Sequence, residues 1–188
     1  IMAPGQPDEA LFPREEWARL LRRVARQGYG AAFGYEHYRG LPRLREVLAR
    51  RLAADRGMVV SAEQILITPG AQASLTLLAL ALADRGDRAL IEDPGYTGAR
   101  NAFRGAGLVM EALQVDGEGA DLTGASDARL IYLTPANQYP LGKRMSLARR
   151  EAVIAHARAC DALIIEDDYD SEFLWHGRQL AALQAQAP

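Results

Sequence analysis

The sequence predicts an α/β protein built on a mostly parallel sheet, and three observations carry that prediction. Short β-prone runs alternate with helix-length segments along the chain, the pattern of strand–helix–strand units. The runs at 88–92, 130–133 and 163–165 are apolar at their centres, as buried parallel strands are. Each then stops abruptly in Gly, Pro, Tyr or acidic residues, and in such folds ligands bind beyond the carboxyl ends of the strands. The sharpest stop is Leu163-Ile164-Ile165-Glu166-Asp167-Asp168-Tyr169-Asp170-Ser171-Glu172-Phe173, where an apolar run gives way to carboxylates and a tyrosine.

In chain order, residues 1–13 carry Pro4, Gly5, Pro7 and Pro13 and are predicted to be an extended arm. From Arg14 to Gln27, Trp17, Leu20, Leu21 and Val24 recur at helical spacing between arginines, an amphipathic helix whose apolar face is expected in the core. Pro42 opens a second helix with Leu44, Val47, Leu48 and Leu52 as its buried stripe, ended by Gly57. A β-prone run at 64–68 turns through Pro69-Gly70-Ala71-Gln72 into a nearly wholly apolar helix reaching Ala83. The strand at 88–92 ends in Asp93-Pro94-Gly95-Tyr96 before a helix over 99–103, and another strand covers 108–113. Residues 117–127 are rich in Gly, Asp and Ser and are predicted to be a surface loop. The strand at 130–133 closes in Thr134-Pro135-Ala136-Asn137-Gln138-Tyr139-Pro140-Leu141-Gly142, and Ser146 caps a helix to Cys160.

Composition narrows the function classes. A net charge of −2 with 49% hydrophobic residues gives a packed core but no electrostatic footprint for nucleic acid. The single cysteine, Cys160, cannot form an internal disulfide, and the longest mostly apolar stretch, 75–83, is far short of the roughly 20 residues that span a bilayer. A cytoplasmic protein without a membrane partner is expected. Gly28-Tyr29-Gly30 follows a helix and is no dinucleotide fingerprint. No GxSxG elbow occurs, and His37, His156 and His176 lie in no metal-ligand spacing.

Three chemistries compete for the acidic strand end. A magnesium-dependent NTPase needs GxxxxGK[ST], but Gly142-Lys143 is followed by Arg144, with Asn137 where the first glycine belongs. A metal-dependent phosphatase would use Asp168-Tyr169-Asp170-Ser171 as clustered oxygens. In the third, Asp167 pairs with a protonated pyridine nitrogen while Tyr169 reaches the ring's hydroxyl. The other strand ends favour the third. Gly70 and Ala71 at a helix start suit a phosphate, which unpaired amides and the helix dipole attract. Tyr96, just past a strand end, can cover a flat ring.

That ordered set resembles fold-type I pyridoxal-phosphate proteins, the aspartate aminotransferase fold, and within it the MocR subfamily of GntR-type regulators. The carrying motifs are Gly34-Tyr35 with Gly40-Leu41-Pro42 and Leu44-Arg45, Ile67-Thr68-Pro69-Gly70-Ala71-Gln72, Glu92-Asp93-Pro94-Gly95-Tyr96, Gln138-Tyr139-Pro140-Leu141-Gly142 and the 166–173 stretch. The resemblance implies that Gly70, Ala71 and Gln72 hold the phosphate of pyridoxal 5'-phosphate and that Tyr96 stacks on its ring. It implies that Asp167 binds the ring nitrogen and Tyr169 the ring hydroxyl, with Asn137 or Tyr139 as a further contact to that hydroxyl. Free-standing aminotransferases of this fold place asparagine directly before the proline, where this chain has Tyr139; the regulators share the Gln-Tyr-Pro-Leu-Gly form. Tyr35 matches the tyrosine that reaches the phosphate of a neighbouring subunit, so a homodimer is implied.

The expected organisation is an arm and first helix over 1–30 and a partial large domain over 31–188. The winged-helix domain that would contact DNA and the small C-terminal domain are expected outside this chain. The expected function is sensing of a small amino-compound effector by a regulator, with transamination of an amino acid as the alternative. Lys143, the only lysine, follows a loop and is expected to be solvated; the resemblance implies that the Schiff-base lysine lies beyond residue 188. The resemblance also implies two later strands between the 64–68 and 130–133 strands, so those two neighbours are expected to be missing here.

Overall fold

The computed structural model describes residues 8–27, 37–171 and 180–187. Tyr35 and Gly34, together with Glu172 and Phe173, lie outside the described residues. Where the arm was expected to be extended to Pro13, a 3-10 turn forms at Glu9–Leu11, because the Asp8 side chain accepts a bond from the Ala10 N–H. Helix α1 spans Arg14–Gln27 and α2 spans Pro42–Arg56, the latter closed by Gly57 at φ 66°, a left-handed turn that favours glycine. Their apolar stripes are not the core that spacing predicts. Trp17, Leu21 and Val24 are exposed, as are Leu44 and Val47, and the buried residue of α2 is Arg56. Helical period sorts side chains onto one face, but burial needs a second surface over that face, and the described residues do not supply one.

The run at 64–68 is not a strand: a 3-10 turn at Ala62–Gln64 leads into extended chain, tied laterally by the Ile67 N–H to the Arg39 carbonyl at 2.9 Å. Helix α3 follows at Ala71–Leu82. Strand β1 (Arg88–Asp93), α4 (Thr97–Gly105) and β2 (Val109–Asp116) come next. The predicted surface loop contains a buried two-residue strand, β3 (Gly119–Ala120), which folds back antiparallel on Val115 and Asp116. Side chains cannot forecast so short a pairing, because the chain reversal and the Arg149 bridges to Asp116 and Asp121 secure it. Strand β4 (Leu130–Leu133), α5 (Leu147–Cys160) and β5 (Leu163–Glu166) complete the sheet. Ser146 caps α5 by accepting the Arg149 N–H at 3.3 Å.

Strand order is β3-β2-β1-β4-β5, and all pairs except β2–β3 are parallel. The 130–133 strand therefore has neighbours on both sides, contrary to expectation, and β5 is the edge strand. Leu75, Ala79, Ala99 and Phe103 of α3 and α4 pack on one face against Ile91, Tyr132 and Ile165. Val153, Ile154 and Ala157 of α5 pack on the other against Leu90, Ile131 and Leu133. Each aliphatic side chain fully buried in these layers contributes about 1.5–3 kcal/mol. From β1 the chain passes through α4 to β2 on one side and returns without a helix to β4 on the other, and α4 and α5, which follow β1 and β4, lie on opposite faces. The carboxyl ends of β1 and β4 thus flank a topological switch point, where three-layer sheets of this kind form a ligand crevice.

Candidate functional site

Two loops meet at the switch point around Glu92, the penultimate residue of β1. Its side chain is buried, and its Oε2 accepts from the Thr134 hydroxyl (2.6 Å), the Thr134 N–H (3.1 Å) and Gln138 Nε2 (3.4 Å). Gln138 also donates to the carbonyls of Pro94 and Tyr139, so one amide pins both strand-end loops. Burial pushes the Glu92 carboxyl above its ordinary value, the Thr134 and Gln138 hydrogen bonds pull it back, and the negative charge of Asp167 pushes it up again.

The start of α3 opens onto the same crevice. Gly70 takes φ 140°, which no L side chain adopts without strain, and nothing lies within 4 Å of where a Cβ would stand. No side chain caps the helix, so its first amides have no capping partner. Gln72 Nε2 donates to the Gly98 carbonyl at 3.1 Å, and a Cβ on Gly98 would collide with both the Tyr96 ring and Gln72 Oε1. Glycine at 98 therefore lets the helix start and the Tyr96 ring close on each other. Tyr96 meets Tyr139 edge-on at 5.9 Å between centroids, and Tyr139 meets Tyr169 at 6.0 Å. Three tyrosines thus line one wall. Burial, followed by the nearby Asp170, pushes the Tyr169 phenol up to about 12, so it stays a donor. Asn137 stands apart from this row, half-buried near Gly142.

Strand alternation separates the three consecutive carboxylates. Asp167 points with Ile165 and Tyr132 toward the α3–α4 side, and its Oδ2 accepts from the Tyr132 hydroxyl at 2.6 Å. Its backbone N–H donates to the Leu133 carbonyl at 2.9 Å, so the β4–β5 pairing continues through it. Glu166 and Asp168 turn the other way, to Arg56. Arg56 pairs with Asp168, lies 3.7 Å from Glu166 and donates to the Ser171 hydroxyl at 2.9 Å. Glu166 also accepts the Leu183 N–H at 2.7 Å, and Arg150 holds the Ala181 carbonyl at 2.9 Å. Asp168, one of the oxygens that a metal-phosphatase site would use, is paired with Arg56, and among the described residues no group of three acidic, His or Cys side chains converges to support that reading. Lys143 is exposed, as expected.

A chain of contacts thus links Gln72, which follows Gly70 and Ala71 at the start of α3, through Gly98 and Tyr96 to Tyr139 and Tyr169, with Asp167 near enough to Tyr169 to act on its charge. Tyr35 is outside the described residues. Sequence reasoning missed Tyr132, Glu92 as an organiser, Gly98 and Arg56. Only the alternation of β4, which sends Tyr132 to the side of Ile165, pointed to any of them.

A parallel three-layer sheet with an uncapped helix start and an acid at neighbouring strand ends is the architecture of an aminotransferase-type large domain. The comparisons agree: the family model for aminotransferase class I and II matches residues 3–182, and the chain belongs to that family. It is 40% identical over 96% of its length to the probable rhizopine catabolism regulatory protein MocR of Rhizobium meliloti, covering 37% of that protein. It is 36% identical over its whole length to the pyridoxine biosynthesis transcriptional regulator PdxR of Corynebacterium glutamicum, covering 40% of it. Among solved structures it matches LysN, the α-aminoadipate aminotransferase of Thermus thermophilus complexed with N-(5'-phosphopyridoxyl)-L-leucine. There the TM-score is 0.87 and identity 30%, over 98% of this chain and 48% of that one. The chain spans less than half the length of these relatives. No helix among the described residues is long and apolar enough to cross a membrane.

Proposed function

We propose that the chain is the pyridoxal-phosphate-binding, effector-sensing part of a MocR-type transcriptional regulator. The observation that carries this is Asp167: a carboxylate at a strand end, one oxygen held by Tyr132, the other without a hydrogen bond among the described residues. Pyridoxal phosphate, when bound, supplies an electrophilic carbonyl for an amine and a protonated ring that withdraws electrons. The α3 amides at Ala71 and Gln72 would hold its phosphate, helped by the helix dipole. Asp167 Oδ1 would keep the ring nitrogen protonated, Tyr96 would cover one ring face, and Tyr169 would donate to the ring hydroxyl. Tyr139, standing in the tyrosine row, suits that hydroxyl better than Asn137. Tyr35 would reach the phosphate of a second subunit in a homodimer.

A sensor needs an amino compound whose binding differs between two conformations of the regulator, and DNA contact would come from a separate winged-helix segment. Identity to two regulators over nearly the whole chain supports the sensor. The likeness to an aminotransferase structure favours transamination as the second reading. In the full-length protein, Asp167→Ala should weaken pyridoxal phosphate at least tenfold, since a hydrogen bond to a charged group contributes about 1.5–3 kcal/mol. Unchanged affinity by equilibrium dialysis would remove the assignment. Sustained turnover of an amino acid with a keto acid would move the function to the enzyme.

A further inference from the structure

We infer that Tyr132 is a positioning residue that aims Asp167 at the cofactor's ring nitrogen. The inference builds on the proposed cofactor reading and names a residue which that reading does not require. Tyr132 is fully buried in the middle of the sheet, one strand away from Asp167, and its ring is wedged edge-on against Phe103 at 6.0 Å. A phenol so enclosed has one rotamer, and its hydroxyl ends 2.6 Å from Asp167 Oδ2, the distance of a strong charge-assisted bond. Burial, then the Asp167 hydrogen bond and charge, push the phenol far above its ordinary value. It therefore stays protonated and always donates.

The consequence is geometric. A carboxylate fixed only at its backbone rotates about its last bond and presents either oxygen, or a bisected pair, to a ligand. With Oδ2 held by Tyr132, Oδ1 is the oxygen left for a cation in the crevice. The main chain on either side is fixed independently: the Asp167 N–H by Leu133, and the flanking Glu166 and Asp168 by Arg56. Tyr132 thus controls the one freedom that the backbone leaves.

The test compares two ligands on the full-length protein: pyridoxal 5'-phosphate and its 1-deaza analogue, in which the ring nitrogen is replaced by a carbon. The wild type should prefer the natural ring. Tyr132→Phe should reduce that preference about tenfold while leaving affinity for the analogue unchanged, because only the nitrogen contact is lost. In an Asp167→Asn background the same substitution should change the preference no further. A purely structural Tyr132 would weaken both ligands alike, and that result, or an unchanged preference, overturns the inference. Should Tyr132→Phe not fold, Tyr132→Met removes the donor under the same criterion. A wild type that binds both ligands equally would instead bring down the Asp167 pairing itself, and this inference with it.

Discussion

At the end of β1 the buried carboxylate of Glu92 is held by the neutral donors of Thr134 and Gln138, whereas at the end of β5 Glu166 and Asp168 face the guanidinium of Arg56. The neutral cluster lies beside the crevice and ties together two adjacent loops. The ionic cluster lies on the opposite face and ties α2, the β5 end, Ser171 and, through Arg150 and Glu166, residues 181–183. A buried arginine beside the crevice would compete with any cationic ligand for Asp167; behind the strand it cannot. The difference teaches where fixed positive charge is tolerated: the chain uses it to clamp distant segments and keeps it away from the carboxylate that needs a free oxygen.

Breaking the ionic cluster should have the largest effect. Arg56→Ala leaves the half-buried Glu166 and Asp168 without their partner and should cost up to about 3 kcal/mol, read by urea denaturation of the full-length protein. Adding Glu166→Gln and Asp168→Asn should recover a large part of the loss; no recovery would mean that Arg56 acts through packing alone. In the neutral cluster, Thr134→Val removes the 2.6 Å donor to Glu92 and the acceptor of the Tyr139 N–H at 3.0 Å. It should cost about 1–3 kcal/mol, with the Tyr139 loop losing amide protection in hydrogen exchange. If protection there is unchanged, Thr134 does not anchor that loop.

The smallest effect is a dependence on pH. Glu92 is raised above its ordinary 4.5 by burial, so the fold favours its protonated form. That contribution is fully present below 4.5 and is lost as pH climbs through the raised folded value. Glutamine keeps the acceptor and cannot ionise. The melting temperature of Glu92→Gln relative to wild type should therefore rise as pH increases from 4.5 and then level off. A difference that stays flat across that range would show that Glu92 carries no such burden.

Sequence legibility divides along the same line. The strands at 88–93, 130–133 and 163–166 were readable because a buried parallel strand writes an unbroken apolar run, and α1 because amphipathic period is local. Tyr96, Tyr139, Asp167 and Tyr169 stood out as candidates because each follows such a run. The role of the α1 and α2 stripes was not, since period does not say what covers a face. Nor was the 64–68 run, where β-propensity found no ladder to join. Arg56 with Ser171 and Tyr132 with Asp167 are 115 and 35 residues apart, so neither pairing leaves a local mark. Gly98 was passed over because its constraint comes from Tyr96 and Gln72 closing above it.

The alternation at Glu166-Asp167-Asp168 makes this stretch a binary switch in evolution. A single-residue insertion or deletion after Ile165 would not merely shift Asp167; it would exchange the two faces, sending that carboxylate to Arg56 and one of its neighbours to Tyr132. The run of consecutive acids leaves some carboxylate on each face even after a slip of one.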